Sequence, residues 1–156
     1  MGKSLPSLKI DSGLIRLAIN DDPGRVIAFN PKDVVFAEKF YRLIKDFEEK
    51  QADFEARAKD LDAVEETDEL GLPVNTDERL AYVKEICQFT YDKIDEVFGE
   101  GTAEKVFQGV YNLDAIGQFF DGISPYIKAA RTQRVEKYSK VIAERKAIEE
   151  TKAVMD

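Results

Sequence analysis

Phe36, Phe40, Leu43, Phe47, Phe54 and Leu61 recur along the chain at spacings of 4, 3, 4, 7 and 7. That is a heptad seam, with Lys50 and Arg57 at its two weak positions. A chain carrying it must form one long helix with an apolar face turned to other elements or to a partner. Asn30-Pro31-Lys32-Asp33 supplies the start. Asn30 is the expected cap, Pro31 suits the first helical position and Asp33 adds negative charge to the first turn. The spacing predicts a helix over 31–61. Its first half is fully amphipathic. Its second half has only a thin apolar edge and is expected to project from the body, with Phe54 in a subunit contact.

Other elements follow from the same reasoning. Residues 62–75 have no periodicity and hold Glu65, Glu66, Asp68 and Glu69 before Gly71-Leu72-Pro73, an acidic loop. Asn75, with Glu78 three residues on, has capping-box spacing and starts a helix over 76–98. Leu80, Val83, Ile86, Cys87, Ile94, Val97 and Phe98 are its expected buried stripe, and Gly99 its terminator. A short capped helix follows at 101–107 and ends by Gly109. Asn112 caps a helix over 113–122. Ser124-Pro125 then restarts a helix over 125–150, because proline is tolerated in a first turn and disruptive later.

The first thirty residues read as β structure. Ile15, Leu17 and Ile19 alternate with Arg16, Ala18 and Asn20, the period of a half-buried strand. Asp21-Asp22-Pro23-Gly24 is the expected turn, and Val26-Ile27-Ala28-Phe29 the return strand. The hairpin thus pairs 14–19 with 25–29, and 7–10 is a candidate third strand. A lone hairpin is marginal in water, so it must pack on the helices or extend a sheet in a neighbouring subunit. The fold class is α+β and mostly helical, a small N-terminal β-hairpin packed on three to four helices. One domain spans 1–156: a hairpin region at 7–29, a helical body at 30–150 interrupted by the 62–75 loop, and a frayed tail at 149–156.

Composition narrows the chemistry. The 156 residues include no histidine, which removes the commonest general base and metal ligand and every Ser-His or Cys-His dyad. Cys87 is the single cysteine, so an intrachain disulfide and a cysteine-based zinc site are excluded, and a lone thiol fits a reducing cytosol. The opening Met1-Gly2-Lys3-Ser4-Leu5-Pro6 has no apolar run, so no signal peptide is expected. No run approaches the roughly 18 apolar residues of a membrane span. A net charge of −8 disfavours binding to phosphate backbones. The charge is segregated: residues 45–78 carry 13 acids and 4 bases, residues 128–147 carry 7 bases and 2 acids.

Each candidate chemical motif gives way to a plainer account. Gly99-Glu100-Gly101-Thr102 lacks the lysine-containing string of a phosphate loop and reads as a helix stop followed by a helix start. A calcium loop from Asp60 would put Val64 and Glu65 where an oxygen donor and a glycine belong. Cys87 lies on an apolar helix face and reads as a buried, inert thiol. Lys128, Arg131, Arg134, Lys137 and Lys140 recur every three residues and therefore wind around a helix. They form a solvated basic helix or a surface for an acidic protein partner. The candidate partner-binding residues are Phe54, Lys128, Arg131, Arg134, Lys137, Tyr138 and Val141. No catalytic, cofactor-binding or metal-binding residue is assigned, and no cofactor is expected.

Several strings together carry a resemblance. They are the hairpin ending in Asp21-Asp22-Pro23-Gly24-Arg25, the helix start Asn30-Pro31-Lys32-Asp33, the run Phe98-Gly99-Glu100-Gly101-Thr102-Ala103-Glu104-Lys105-Val106-Phe107, and the run Ile116-Gly117-Gln118-Phe119-Phe120-Asp121-Gly122-Ile123-Ser124-Pro125-Tyr126. Over residues 14–140 the chain resembles the tail assembly chaperones encoded by tailed phages and prophages of Gram-positive bacteria. The resemblance implies a helical, oligomerising, non-enzymatic chaperone in the host cytoplasm, which coats the tape measure protein until the tail tube polymerises around it. A tape measure protein and further copies of the chain are then the expected partners, with neither nucleic acid nor membrane among them. The alternatives are a structural virion subunit, such as a tail completion or connector protein, and a small carboxylate-based hydrolase or transferase.

Overall fold

The computed structural model describes residues 4–130. Strands β1 (Ile15–Ile19) and β2 (Asp22–Phe29) form an antiparallel hairpin. Helices α1 (Val34–Asp62), α2 (Thr76–Phe98) and α3 (Thr102–Phe107) follow. A fourth helix, α4, runs from 113 to the last described residue, 130. The fold is α+β with helix dominant, as the periodicities require.

The hairpin turn differs from the expected one. Its corner is Asn20-Asp21, both left-handed at φ 53° and 60°. Asparagine and aspartate tolerate that region, and two successive residues there match the right-handed twist of the flanking strands. Pro23 and Gly24 lie inside β2 instead. The pairing jumps from Ala18↔Val26 to Ile19↔Asp22, so Pro23, Gly24 and Arg25 are accommodated as an irregular bulge. Residues 7–10 form no strand, and Leu8 and Ile10 are exposed. Their apolar side chains reach no core to hold them against the sheet.

The hairpin is held by helices, one of the two supports its size demands. Ile27 and Phe29 are buried in the core. Arg25 donates from Nε to the Lys105 carbonyl at 3.0 Å and from its other guanidinium nitrogen to the Val106 carbonyl at 2.9 Å. Lys105 returns a bond from Nζ to the Val26 carbonyl at 3.0 Å. The two Arg25 bonds satisfy carbonyls at the end of α3, where the helix itself supplies no donor.

Helix α1 starts three residues later than the Asn30-Pro31 start signal implied. Asp33 is the cap, its carboxylate accepting from the Val35 N–H at 2.9 Å. Asn30 makes an earlier turn, accepting from the Lys32 N–H and donating to the Ser12 carbonyl. Asn75 caps α2 without a side-chain bond to a backbone N–H of the first turn, so the expected capping box is absent. Its amide donates to the Leu61 carbonyl and accepts from Arg79 Nε. Leu80 is 64% exposed rather than part of the buried stripe, which consists of Cys87, Thr90, Tyr91, Ile94 and Val97. The acidic loop is a closed turn: Thr67 bridges Pro73, and the Asp68 carboxylate accepts from the N–H groups of Leu70 and Leu72.

Gly99 and Gly101, with φ of 115° and 86°, turn the chain from α2 into α3 through backbone that other residues rarely adopt. Asn112 then caps α4, accepting from the N–H groups of Asp114 and Ala115. Helix α4 is continuous through Gly122 and Pro125, not two helices. Proline leaves the carbonyl four residues back, that of Asp121, without its helical donor. Both residues lie on the exposed side, so water can satisfy that carbonyl. Burial of Ile123, Ile127 and Ala130 on the opposite side carries the helix across the break. The continuation of the expected 125–150 helix past 130 lies outside the described residues.

The core is aromatic. Phe29, Phe36 and Phe98 pack with centroids 5.4–5.7 Å apart. Phe119 meets Phe98 at 5.4 Å and Phe107 at 5.9 Å. Cys87, Thr90 and Ile94 lie at its centre, where the Thr90 hydroxyl donates to the Ile86 carbonyl. Between Leu43 and Cys87 no residue is fully buried. The chain there is a pair of helices with no core of its own.

Candidate protein-binding groove

Along α1, Phe40, Ile44, Phe47, Gln51, Phe54 and Ala58 lie at spacings of 4, 3, 4, 3 and 4 and line an apolar groove of about 590 Å³. This seam shares Phe40, Phe47 and Phe54 with the one that builds the core, but is turned outward by Ile44, Gln51 and Ala58. Ile116 and Phe120 of α4 form one wall and Tyr82 of α2 contributes at the far end. Glu48 and Glu55 are the charged residues of the lining.

Three ring contacts and one hydrogen bond fix the groove's floor. Phe47 meets Phe120 edge-on at 6.4 Å, which joins α1 to α4. Phe54 meets Phe89 at 5.9 Å and Tyr82 at 6.3 Å, which joins α1 to α2. The Tyr82 hydroxyl donates to the Phe54 carbonyl at 2.7 Å. Phe54, expected at a subunit contact, is therefore half-buried against α2 within its own chain and shows one side to the groove.

Ion pairs bolt α1 to α2 on the side away from the opening. Lys93 Nζ lies 2.8 Å from the Asp46 carboxylate, both largely sheltered. The Asp46 hydrogen bond, and then Glu96, raise the Lys93 pKa above its usual value. Arg57 reaches Glu85 at 2.6 Å and holds that carboxyl below the usual carboxylate range. The Arg57 guanidinium also lies 5.3 Å from the Tyr82 ring centroid. Arg79 closes the α1–α2 connection, with one guanidinium nitrogen donating to the Leu61 and Val64 carbonyls at 2.9 and 3.1 Å.

Lys128 is an exposed residue of α4 and does not line the groove. Arg131, Arg134, Lys137, Tyr138 and Val141 lie outside the described residues. The sequence reading missed Ile44, Ala58 and Tyr82. The two α1 residues were legible as a second 4-3 repeat offset by one position from the first, but Tyr82 reaches the groove only through the pairing of α2 with α1. Cys87 is fully buried, and desolvation pushes its thiol pKa up, which keeps it protonated and unreactive. Among the described residues, no group of three or more His, Cys, Asp or Glu side chains could hold a metal ion. Among the same residues, no helix is long and apolar enough to cross a membrane.

The groove can accept an amphipathic helix and offers its lining to such a partner as spaced apolar anchors with an acidic edge. No curated protein and no solved structure matches this chain. A family model does match over residues 24–149, a stretch that includes most of β2, helices α1 to α4 as described and the whole groove, so the chain belongs to the family described as Family of unknown function (DUF6673).

Proposed function

We propose that this protein is a non-enzymatic chaperone that holds an apolar helical stretch of another protein in the α1 groove. The observation that carries the reading is the open 4-3-4-3-4 seam from Phe40 to Ala58. Heptad spacing on a solvent-facing helix is the pattern by which one helix receives another. The resemblance to phage tail assembly chaperones gives the client its identity: a tape measure protein, sheltered in the host cytoplasm while a tail is assembled. Such a client is long and helical, so a groove for one amphipathic helix suits it. Acidic side chains at the groove edge would orient a client helix flanked by bases, while apolar burial supplies most of the affinity.

Titration of helical tape measure segments against the full chain, read by calorimetry, tests the proposal. Binding that weakens by at least about tenfold in Ile44→Asp supports it, since tenfold corresponds to about 1.4 kcal/mol and one buried anchor contributes more. Absence of binding by every segment, or binding indifferent to Ile44→Asp, overturns it.

A further inference from the structure

The groove also fits a part of this chain. We propose that residues 138–155 of a second copy lie in the α1 groove and join two chains of this protein. The inference rests on the groove being a helix-docking site, as in the reading above, and not on what the client is.

Spacing is the first argument. Tyr138, Val141, Arg145, Ile148, Lys152 and Met155 lie at intervals of 3, 4, 3, 4 and 3. This repeat complements the 4, 3, 4, 3, 4 seam of α1, and four of its six positions are apolar or aromatic. Length agrees as well. Docked as helices, with the end that frays in a free chain ordered by the groove, 138–155 and 40–58 span about 26 and about 27 Å. Set antiparallel, Arg145 falls opposite the uncharged polar Gln51, and Lys152 is the one polar position of the tail without a polar counterpart in the groove seam.

Charge is the second argument. The groove's charged lining is Glu48 and Glu55. Residues 131–147 carry six bases and two acids, with Lys137, Lys140 and Lys146 beside the apolar repeat. Pairing two α1 seams with each other would instead bring glutamates together, which disfavours that mode of self-association.

The route of the chain selects a second copy over the same one. Phe120 packs on Phe47, whereas Tyr126 packs on Phe29, itself a neighbour of Phe36. Helix α4 therefore runs back toward the start of α1, and residue 130 leaves the far end of the groove behind. Returning to the groove of its own chain would require a reversal. From Tyr126 to Met155 the sequence has no Gly, Pro, Asn or Asp, and Ser139 alone of the common turn residues, to make one. A tail that continues onward reaches the groove of a neighbour without turning. A client helix must then displace this tail, so self-association and client capture compete for one surface.

The test uses full-length chains followed by sedimentation over a concentration series. The wild-type chain should associate at micromolar concentration. The tail variant Tyr138→Asp/Val141→Asp and the groove variant Ile44→Asp should each associate at least about tenfold more weakly. Ile44 is already 41% exposed, so its substitution spares the fold, and the exposed Gln51→Arg is a second groove variant if Ile44→Asp lowers the melting temperature. Mixing the tail variant with the groove variant should restore a heterodimer, because the intact tail of one meets the intact groove of the other. A wild-type chain that stays monomeric to about 100 μM, a tail variant that associates like wild type, or a mixture that forms no heterodimer overturns the proposal. Client titration separates the two readings. A monomeric tail variant that binds no client helix counts against the chaperone function alone, and a wild-type monomer that captures one counts against tail exchange alone.

Discussion

Tyr82 donates its hydroxyl hydrogen to the carbonyl of Phe54 at 2.7 Å while its ring stands edge-on to the Phe54 ring. One side chain of α2 thus ties both the backbone and an aromatic anchor of α1 at the end of the groove. Tyr82→Phe keeps the ring pair and removes the bond. It should lower stability by about 1 kcal/mol in a urea series, the net worth of such a bond, and leave groove binding within about twofold. Tyr82→Ala should weaken binding as well, since the groove loses its far wall.

Arg79 tests how the α1–α2 connection is held. Its guanidinium binds two carbonyls at the end of α1 and the Asn75 side chain at once. Lysine cannot reproduce that fork. Arg79→Lys should therefore raise amide exchange across 61–76 and lower stability by about 1–2 kcal/mol, with exchange in the Cys87–Val97 stretch changed only by the global loss.

Phe119 and Phe40 should separate. Phe119 is buried among Phe98, Phe107 and Phe120, so Phe119→Ala should cost about 3–5 kcal/mol. Phe40 is only partly buried and lines the groove. Phe40→Ala should cost less than half as much while abolishing more of the binding. Equal losses in a denaturant series would contradict the division of α1 into a core face and a groove face.

Alkaline pH should destabilise the fold through buried groups. Burial raises the Cys87 thiol above 9.0 and the Tyr91 phenol above 10.0, and Asp46 with Glu96 raises Lys93 above 10.5. In each case the native state keeps a proton that the unfolded chain releases. Stability is therefore complete below these unfolded values and is lost as pH rises through the higher native ones. Cys87 gives the first loss, from pH 9.0 upward, with a slope of at most about 1.4 kcal/mol per pH unit. Chemical denaturation of Cys87→Ala should show a flatter curve between 9.0 and 10.0 than wild type. Glu85, lowered by Arg57, acts with the opposite sign: its contribution is present above 4.5 and lost as pH falls through the native value.

Ionic strength should report the charge at the groove edge. Raising salt from about 0.05 to about 0.5 M shrinks the Debye length from about 14 to about 4 Å, so self-association should slow more than dissociation speeds up. Glu48→Lys/Glu55→Lys should remove most of that salt dependence in stopped-flow measurements. Association that keeps its full salt dependence in this variant would show that other charges steer it.

By itself the sequence determined the elements. Helix periodicity from Phe36 to Leu61, the Gly99 terminator and the Asn112 cap are set by contacts within a few residues, and they are where local chemistry puts them. So is the burial of Cys87, which follows from its place on an apolar stripe. Only the tertiary structure decided which of two overlapping seams on α1 faces inward, because Phe40, Phe47 and Phe54 belong to both and the choice is made by Phe98, Phe89 and Phe120 arriving from distant parts of the chain. It also decided that α4 passes through Pro125, where burial of Ile123, Ile127 and Ala130 on one side outweighs a hydrogen bond lost to water on the other. Asp33 displaced Asn30 as the α1 cap for a related reason: the Asn30 side chain was already bonded to Ser12, a partner brought close only by the hairpin.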